Sequence, residues 1–268
     1  MSENSHNQHP KSPPSAGARL ALARLVGVVG LVAYNWWVAV PFKHGLLTSP
    51  DGFFSDLEAN GRPYSAVMQH LDLVAGILLV IALVARGAQG RARLRREWPW
   101  MIAFAGAGVV GGKYSYACAE GLSTSCRHLE WRFQLPLHHY IHIAAGVVEF
   151  ATITIAVLLA RRQTRDLSTP ESRLFKGLVG LFVVGYPILG AAYLSDRLGA
   201  VIEPVFFVAF SLMVLVELFE PATALVRGPI GGPEASARRK NPSSAGDHQL
   251  AASSPTGRTV PAPPEQLT

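Results

Sequence analysis

His138, His142 and Glu149 stand at i, i+4 and i+11 in the apolar stretch 138–160. A helical period of 3.6 residues puts them on one face. Imidazoles at i and i+4 can ligate one metal ion, and a carboxylate from another helix would complete three protein ligands with a position left for water. Asp72 is the carboxylate at matching depth. Asp72, His138 and His142 would suit zinc, which acts as a Lewis acid and generates a bound hydroxide. The stretch lacks the glutamate directly after the first histidine that marks the zinc-protease helix. The competing reading is structural: Asp72 pairs with His142 or Lys113 and holds two helices together. Glu149 is open to three roles, as a proton acceptor, a deep partner of Lys113, or a neutral hydrogen-bonded carboxyl. No organic cofactor is implied; zinc is the one metal that the trio suggests.

The elements that must position these groups are membrane helices. Of 268 residues, 49% are hydrophobic and only 16% charged, which is too apolar for an ordinary soluble domain. The net charge of +6 lies in short arginine-rich loops rather than over a surface. That is a topogenic pattern and not a nucleic-acid footprint, so no nucleic acid is expected as a partner. Apolar runs at 20–40, 66–85, 98–117, 138–160, 174–194 and 200–219 are each about long enough to span the hydrocarbon core. Arg86, Arg91, Arg93, Arg95 and Arg96 follow the second run, and Arg161, Arg162 and Arg165 follow the fourth. Basic loops stay inside.

The expected fold is therefore all-α: a polytopic bundle of six transmembrane helices in the plasma membrane, with both termini cytoplasmic. Residues 20–220 form the membrane domain. The polar stretches 1–19 and 221–268 read as disordered tails. Trp36 and Trp37 are placed at the outer interface, and Pro187 at a kink in the fifth span. Small residues at four-residue spacing in the third span (Ala103, Ala107, Gly111; Gly108, Gly112) admit a close neighbouring helix.

In this topology the ionisable residues gather in the outer half. Asp72, His138, His142, Glu149 and Lys113 are the candidates for a polar pocket that opens outward beneath two long loops, with Glu149 deepest, about 16 Å from its helix start. His70 and Asp72 are two residues apart and point roughly 200° apart, so only one of them faces the pocket. The first loop holds Ser55-Asp-Leu-Glu58, which fits a capping box. The second holds the only two cysteines, Cys118 and Cys126. Facing outward, they are expected to form a disulfide; a metal site with His128 is the alternative. Three functions fit: binding of a lipid or small molecule, metal-dependent hydrolysis of a lipid, or proton-coupled transport through Glu149. Membrane lipids are the expected partners.

The strings Ser55-Asp-Leu-Glu-Ala-Asn-Gly61-Arg-Pro63 and Cys118-Ala-Glu-Gly-Leu-Ser-Thr-Ser-Cys126, each leading into a span with polar residues, resemble the bacterial membrane family of domain of unknown function 998. The resemblance covers roughly residues 20–219. It implies a bacterial multi-pass fold and carries no established chemistry. Glu58-Ala-Asn-Gly61 replaces the more glycine-rich turn associated with that family.

Overall fold

The computed structural model describes residues 15–39, 51–88, 95–165, 167–195 and 197–219. Readings that fall on 1–14, 40–50, 89–94 (with Arg91 and Arg93), Asp166, Asp196 and 220–268 lie outside them, and so do most of the two expected tails. The described residues form helices and no strand. The helices are α1 (Ala16–Tyr34), α2 (Ser65–Gly87), α3 (Trp98–Lys113), α4 (Thr124–Trp131), α5 (Leu137–Gln163), α6 (Pro170–Ser195) and α7 (Gly199–Phe219). Single 3-10 turns stand at Trp36–Val38, Ser55–Glu58 and Glu120–Leu122.

Five helices, α1, α2, α5, α6 and α7, are long and apolar enough to cross a membrane. The chain is a multi-pass membrane protein by this measure. The expected third span, 98–117, is shorter as a helix. α3 has 16 residues, about 24 Å at 1.5 Å per residue, against a hydrocarbon core of ~30 Å. It stops because the chain leaves helical geometry at Tyr114 (φ −110°, ψ 111°). The Tyr116 carbonyl then accepts from the Asn60 N–H, and the Ala117 N–H donates to His139 Nδ1.

α1 also differs from expectation. It begins at Ala16, with the Ser15 hydroxyl accepting from the Ala18 N–H as N-cap. It ends at Tyr34, where the Asn35 amide donates to the Leu31 carbonyl and to Ser211 Oγ on α7. The chain then turns inward, so Trp36 is 5% exposed rather than at an interface.

The helices pack in chain order, α1 on α2, α2 on α3, α3 on α5, α5 on α6 and α6 on α7, and α7 returns to α1 and α2. The interior is aromatic: Phe104, Phe150 and Phe210 meet at ring-centroid distances of 5.6 Å (Phe104–Phe210) and 5.0 Å (Phe150–Phe210). Between apolar helices, tight packing and hydrogen bonds supply the cohesion. The closest approach is between α2 and α3. A Cβ on Gly76 would lie 2.6 Å from the Val109 nitrogen, and one on Gly112 would overlap the Leu73 backbone. The small-residue spacing of the third span does admit a neighbouring helix.

The two ends of the bundle are chemically distinct. At the arginine end, Arg24 and Arg86 donate to the last carbonyls of α7, Leu218 and Glu217. Arg95 pairs with Glu97 at 2.6 Å and with Glu217 at 3.4 Å, and Gln163 donates to Glu97. Arg95, expected only as a topology signal, is thus buried structure. The opposite, disulfide end holds the loops and the cavity.

Candidate ligand cavity

Near the disulfide end, α1, α2, α3, α5 and α7 leave a cavity of about 150 Å³. Four carboxyl groups line it: Glu58, Asp72, Glu149 and Glu203. Asp72 lies two turns into α2 and accepts from the Trp36 indole N–H at 2.6 Å. His70, two residues earlier, lies on the exposed side with its ring bonded to the Ala66 carbonyl. Glu58 arrives from the 3-10 turn above. It does not close the expected capping box; Phe54 is the N-cap and offers no side-chain bond. Glu58 instead turns inward, is 3% exposed, and lies within hydrogen-bonding reach of Asp72. Its Oε2 meets no hydrogen-bond donor. Burial first, and the Asp72 carboxylate second, hold the Glu58 pKa well above the usual carboxylate range.

Glu203, in the first turns of α7, accepts from the Phe54 N–H and so fixes the 3-10 turn over the cavity. Glu149 rests on α3 where glycine leaves room: its Oε1 would be 2.9 Å from a Cβ on Gly108. His142 Nδ1 donates towards the Gly111 and Tyr114 carbonyls, at 3.0 and 2.6 Å, and clips α5 to the end of α3. Trp36, Phe104, Phe150 and Phe207 supply aromatic wall. The Tyr34 hydroxyl, also on the wall, has no hydrogen-bond partner. Among the described residues that line the cavity there is no lysine or arginine.

Of the five residues proposed from sequence, the structure brings Asp72, His142 and Glu149 to this cavity. His138 is half-buried and does not line it, being one turn, about 6 Å, nearer the helix start. Lys113 is exposed at the end of α3 and does not line it either. Among the described residues no three His, Cys, Asp or Glu groups converge as a metal site, so Asp72, His138 and His142 do not form the ligand set expected for zinc. The physical reason is that Asp72 is engaged by Trp36, His142 Nδ1 by backbone carbonyls, and His138 lies off the cavity. Glu58, Trp36 and Tyr34 were not singled out as pocket residues from sequence. Glu58 looked like a helix cap and Trp36 like an interfacial anchor, and only the fold of the first loop turns both inward.

Residues 16–219 match the family described as protein of unknown function (DUF998). The chain belongs to that family. No curated protein and no solved structure matches it. Every residue lining the cavity of this DUF998 chain falls inside the matched segment.

A second polar cluster roofs the same end. Cys118 and Cys126 are joined as a disulfide, Cα–Cα 6.0 Å. That consumes both thiols and leaves no Cys–Cys–His128 metal set. The short helix α4 follows, N-capped by Ser123 Oγ, which accepts from the Cys126 N–H. Glu130 at its end accepts from His139 Nε2 at 3.0 Å and from the Tyr193 hydroxyl at 2.6 Å. Arg127 donates to the Tyr193 carbonyl. The two loops meet where the Asp56 carboxylate accepts from the Phe53 and Gly121 N–H groups, at 3.0 and 3.2 Å.

Glu120 sits within this roof, and its pKa is raised to about 7 by burial and then by the charges of Glu130 and Asp56, with Arg127 opposing. The folded roof therefore binds a proton between about pH 4.5 and 7 that the unfolded chain releases. Its contribution to stability is full below the unfolded value and is lost as pH rises through about 7. Hydrogen exchange of residues 118–131 should accelerate between pH 5 and 8 beyond the intrinsic base-catalysed change. A Glu120→Gln variant should flatten that excess. An unchanged excess would show that Glu120 is not its source.

Proposed function

We propose that this chain is a plasma-membrane binding protein whose cavity holds a small molecule or a lipid headgroup. The observation that carries the reading is the cavity itself, with four carboxyl groups and an aromatic wall inside an otherwise apolar bundle. Ionisable groups at membrane depth are costly, and where they line a cavity they mark a functional site by default. A volume of about 150 Å³ suits a group of benzene size, about six non-hydrogen atoms. In the proposed topology α3 also crosses, giving six spans. Both termini and the arginine end are inside, and the disulfide end, with the cavity, faces the oxidising exterior. Metal-dependent hydrolysis of a lipid, the alternative, would need a different arrangement, with three ligands around the metal.

Gly146 provides the test. It lines the cavity, and a Cβ there would meet nothing within 4 Å. Gly146→Leu should fill the space without moving the helices. The full chain purified in mild detergent should carry a species, found by solvent extraction and mass spectrometry, that Gly146→Leu lacks at equal melting temperature. Identical extracts from the two proteins would count against a binding cavity.

A further inference from the structure

We infer that the cavity takes a protonated amine on a short apolar body, such as a free alkylamine or the amino group of a lipid headgroup. This rests on the binding reading above and names its ligand class. The charge decides first. Glu58, Asp72, Glu149 and Glu203 all face one space of about 150 Å³, and no lysine or arginine lines it among the described residues. An anion would find no cationic lysine or arginine to pair with among the described lining residues.

The second observation is independent of the acidic count. Glu58 lines the cavity and is 3% exposed, and its Oε2 is buried without a hydrogen-bond donor. Its neighbour is the Asp72 carboxylate, which accepts hydrogen bonds and donates none when ionised. Two carboxyl groups side by side need a shared proton or a cation between them. An ammonium group has three N–H donors and no acceptor, which suits these oxygens. The Tyr34 hydroxyl, also without a partner, adds a further acceptor on the same wall.

Size and shape favour an organic cation over a bare metal ion. No three carboxyl or imidazole groups among the described residues converge tightly enough to ligate a metal. N–H···O contacts reach 2.7–2.9 Å, so an ammonium tolerates wider spacing. Part of the wall is aromatic, with Phe104, Phe150 and Phe207 among the lining residues. Ring faces attract a cation within about 6 Å and receive the methylene groups behind it.

The test uses the full chain in lipid-free detergent, with n-butylammonium chloride as probe and n-butanol as its neutral counterpart. Calorimetric titration at pH 7 should show saturable binding of n-butylammonium and none of n-butanol. Glu58→Gln should weaken it about tenfold or more, the loss expected for one charge-assisted contact. Gly146→Leu should abolish it. Nanodiscs separate the sources: displacement of the probe by phosphatidylethanolamine but not by phosphatidylcholine identifies a lipid headgroup, and no displacement by either identifies a free amine. Both outcomes support the proposal. If n-butanol binds as well as n-butylammonium, or Glu58→Gln binds normally, the cation proposal is overturned. A species that co-purifies and is lost in Gly146→Leu, without competition from n-butylammonium, overturns the cation but keeps the binding cavity. Neither probe binding nor a co-purifying species overturns both. Melting temperatures of the two variants, equal to that of the parent chain, exclude misfolding as the cause of lost binding.

Discussion

Gly112→Leu should destabilise the bundle by about 3 kcal/mol or more, a fall in melting temperature of roughly 6–12 °C for a domain of this size. The expected size follows from what a side chain would strike. A Cβ at Gly112 overlaps the backbone of Leu73 and lies 2.9 Å from the Asp72 carbonyl carbon. Backbone atoms cannot rotate away as a side-chain end can, so α2 and α3 would have to separate. Separation would also displace Asp72 and the end of α3 that His142 clips. Gly106, on the same helix, has nothing within 4 Å of an added Cβ. Gly106→Ala should leave stability unchanged or raise it by about 0.5–1 kcal/mol, the helix preference for alanine. Thermal unfolding of both variants in the same detergent separates the two effects. Equal behaviour would mean that α2 and α3 are not in close contact.

Glu130→Ala should cost about 3 kcal/mol and loosen the roof before the bundle melts. One carboxylate serves two donors, the buried His139 Nε2 and the half-buried Tyr193 hydroxyl, from two different helices. His139 is fully buried, with 0% exposure. Truncating Glu130 leaves the buried His139 Nε2 without an acceptor, a cost of about 1–3 kcal/mol, and takes one acceptor from the Tyr193 hydroxyl, which keeps Glu120 within reach. Glu130→Gln keeps one acceptor oxygen and should lose about half as much. His139→Ala combined with Glu130→Ala should cost less than the two single losses added, because the pair shares one interaction. Hydrogen exchange at residues 124–142 should report the roof, and thermal unfolding the bundle. Additive losses in the double variant would show that the 3.0 Å contact contributes nothing to stability.

Much of this was legible in the sequence, for identifiable reasons. Helix positions follow from apolar runs, and α2, α5, α6 and α7 begin and end within a few residues of those runs. Asp72, His142 and Glu149 were legible because an ionisable residue inside an apolar run is conspicuous. Glu58 was not, because in a polar loop a carboxylate is ordinary; long-range contacts of its turn, such as Phe54 with Glu203, 149 residues apart, and Asn60 with Tyr116, turn it inward. His138 and His142 looked equivalent on a helical wheel, which carries no information on where along the axis a cavity begins. The choice of His139 over His138 as the buried histidine depends on Glu130, whose approach is set by α4, a short helix without an apolar run to announce it.

The ring of helices has a consequence for the order in which the protein can be built. The first helix and the turn after it find partners on the last: Arg24 on Leu218, Asn35 on Ser211 and Phe54 on Glu203. During synthesis the α7 partners of Arg24 and Asn35 arrive only after nearly two hundred further residues. The cavity gains its final wall, and the turn bearing Glu58 its Glu203 contact, only when α7 arrives. A chain halted before Gly199 would hold the other four spanning helices and still have an open side.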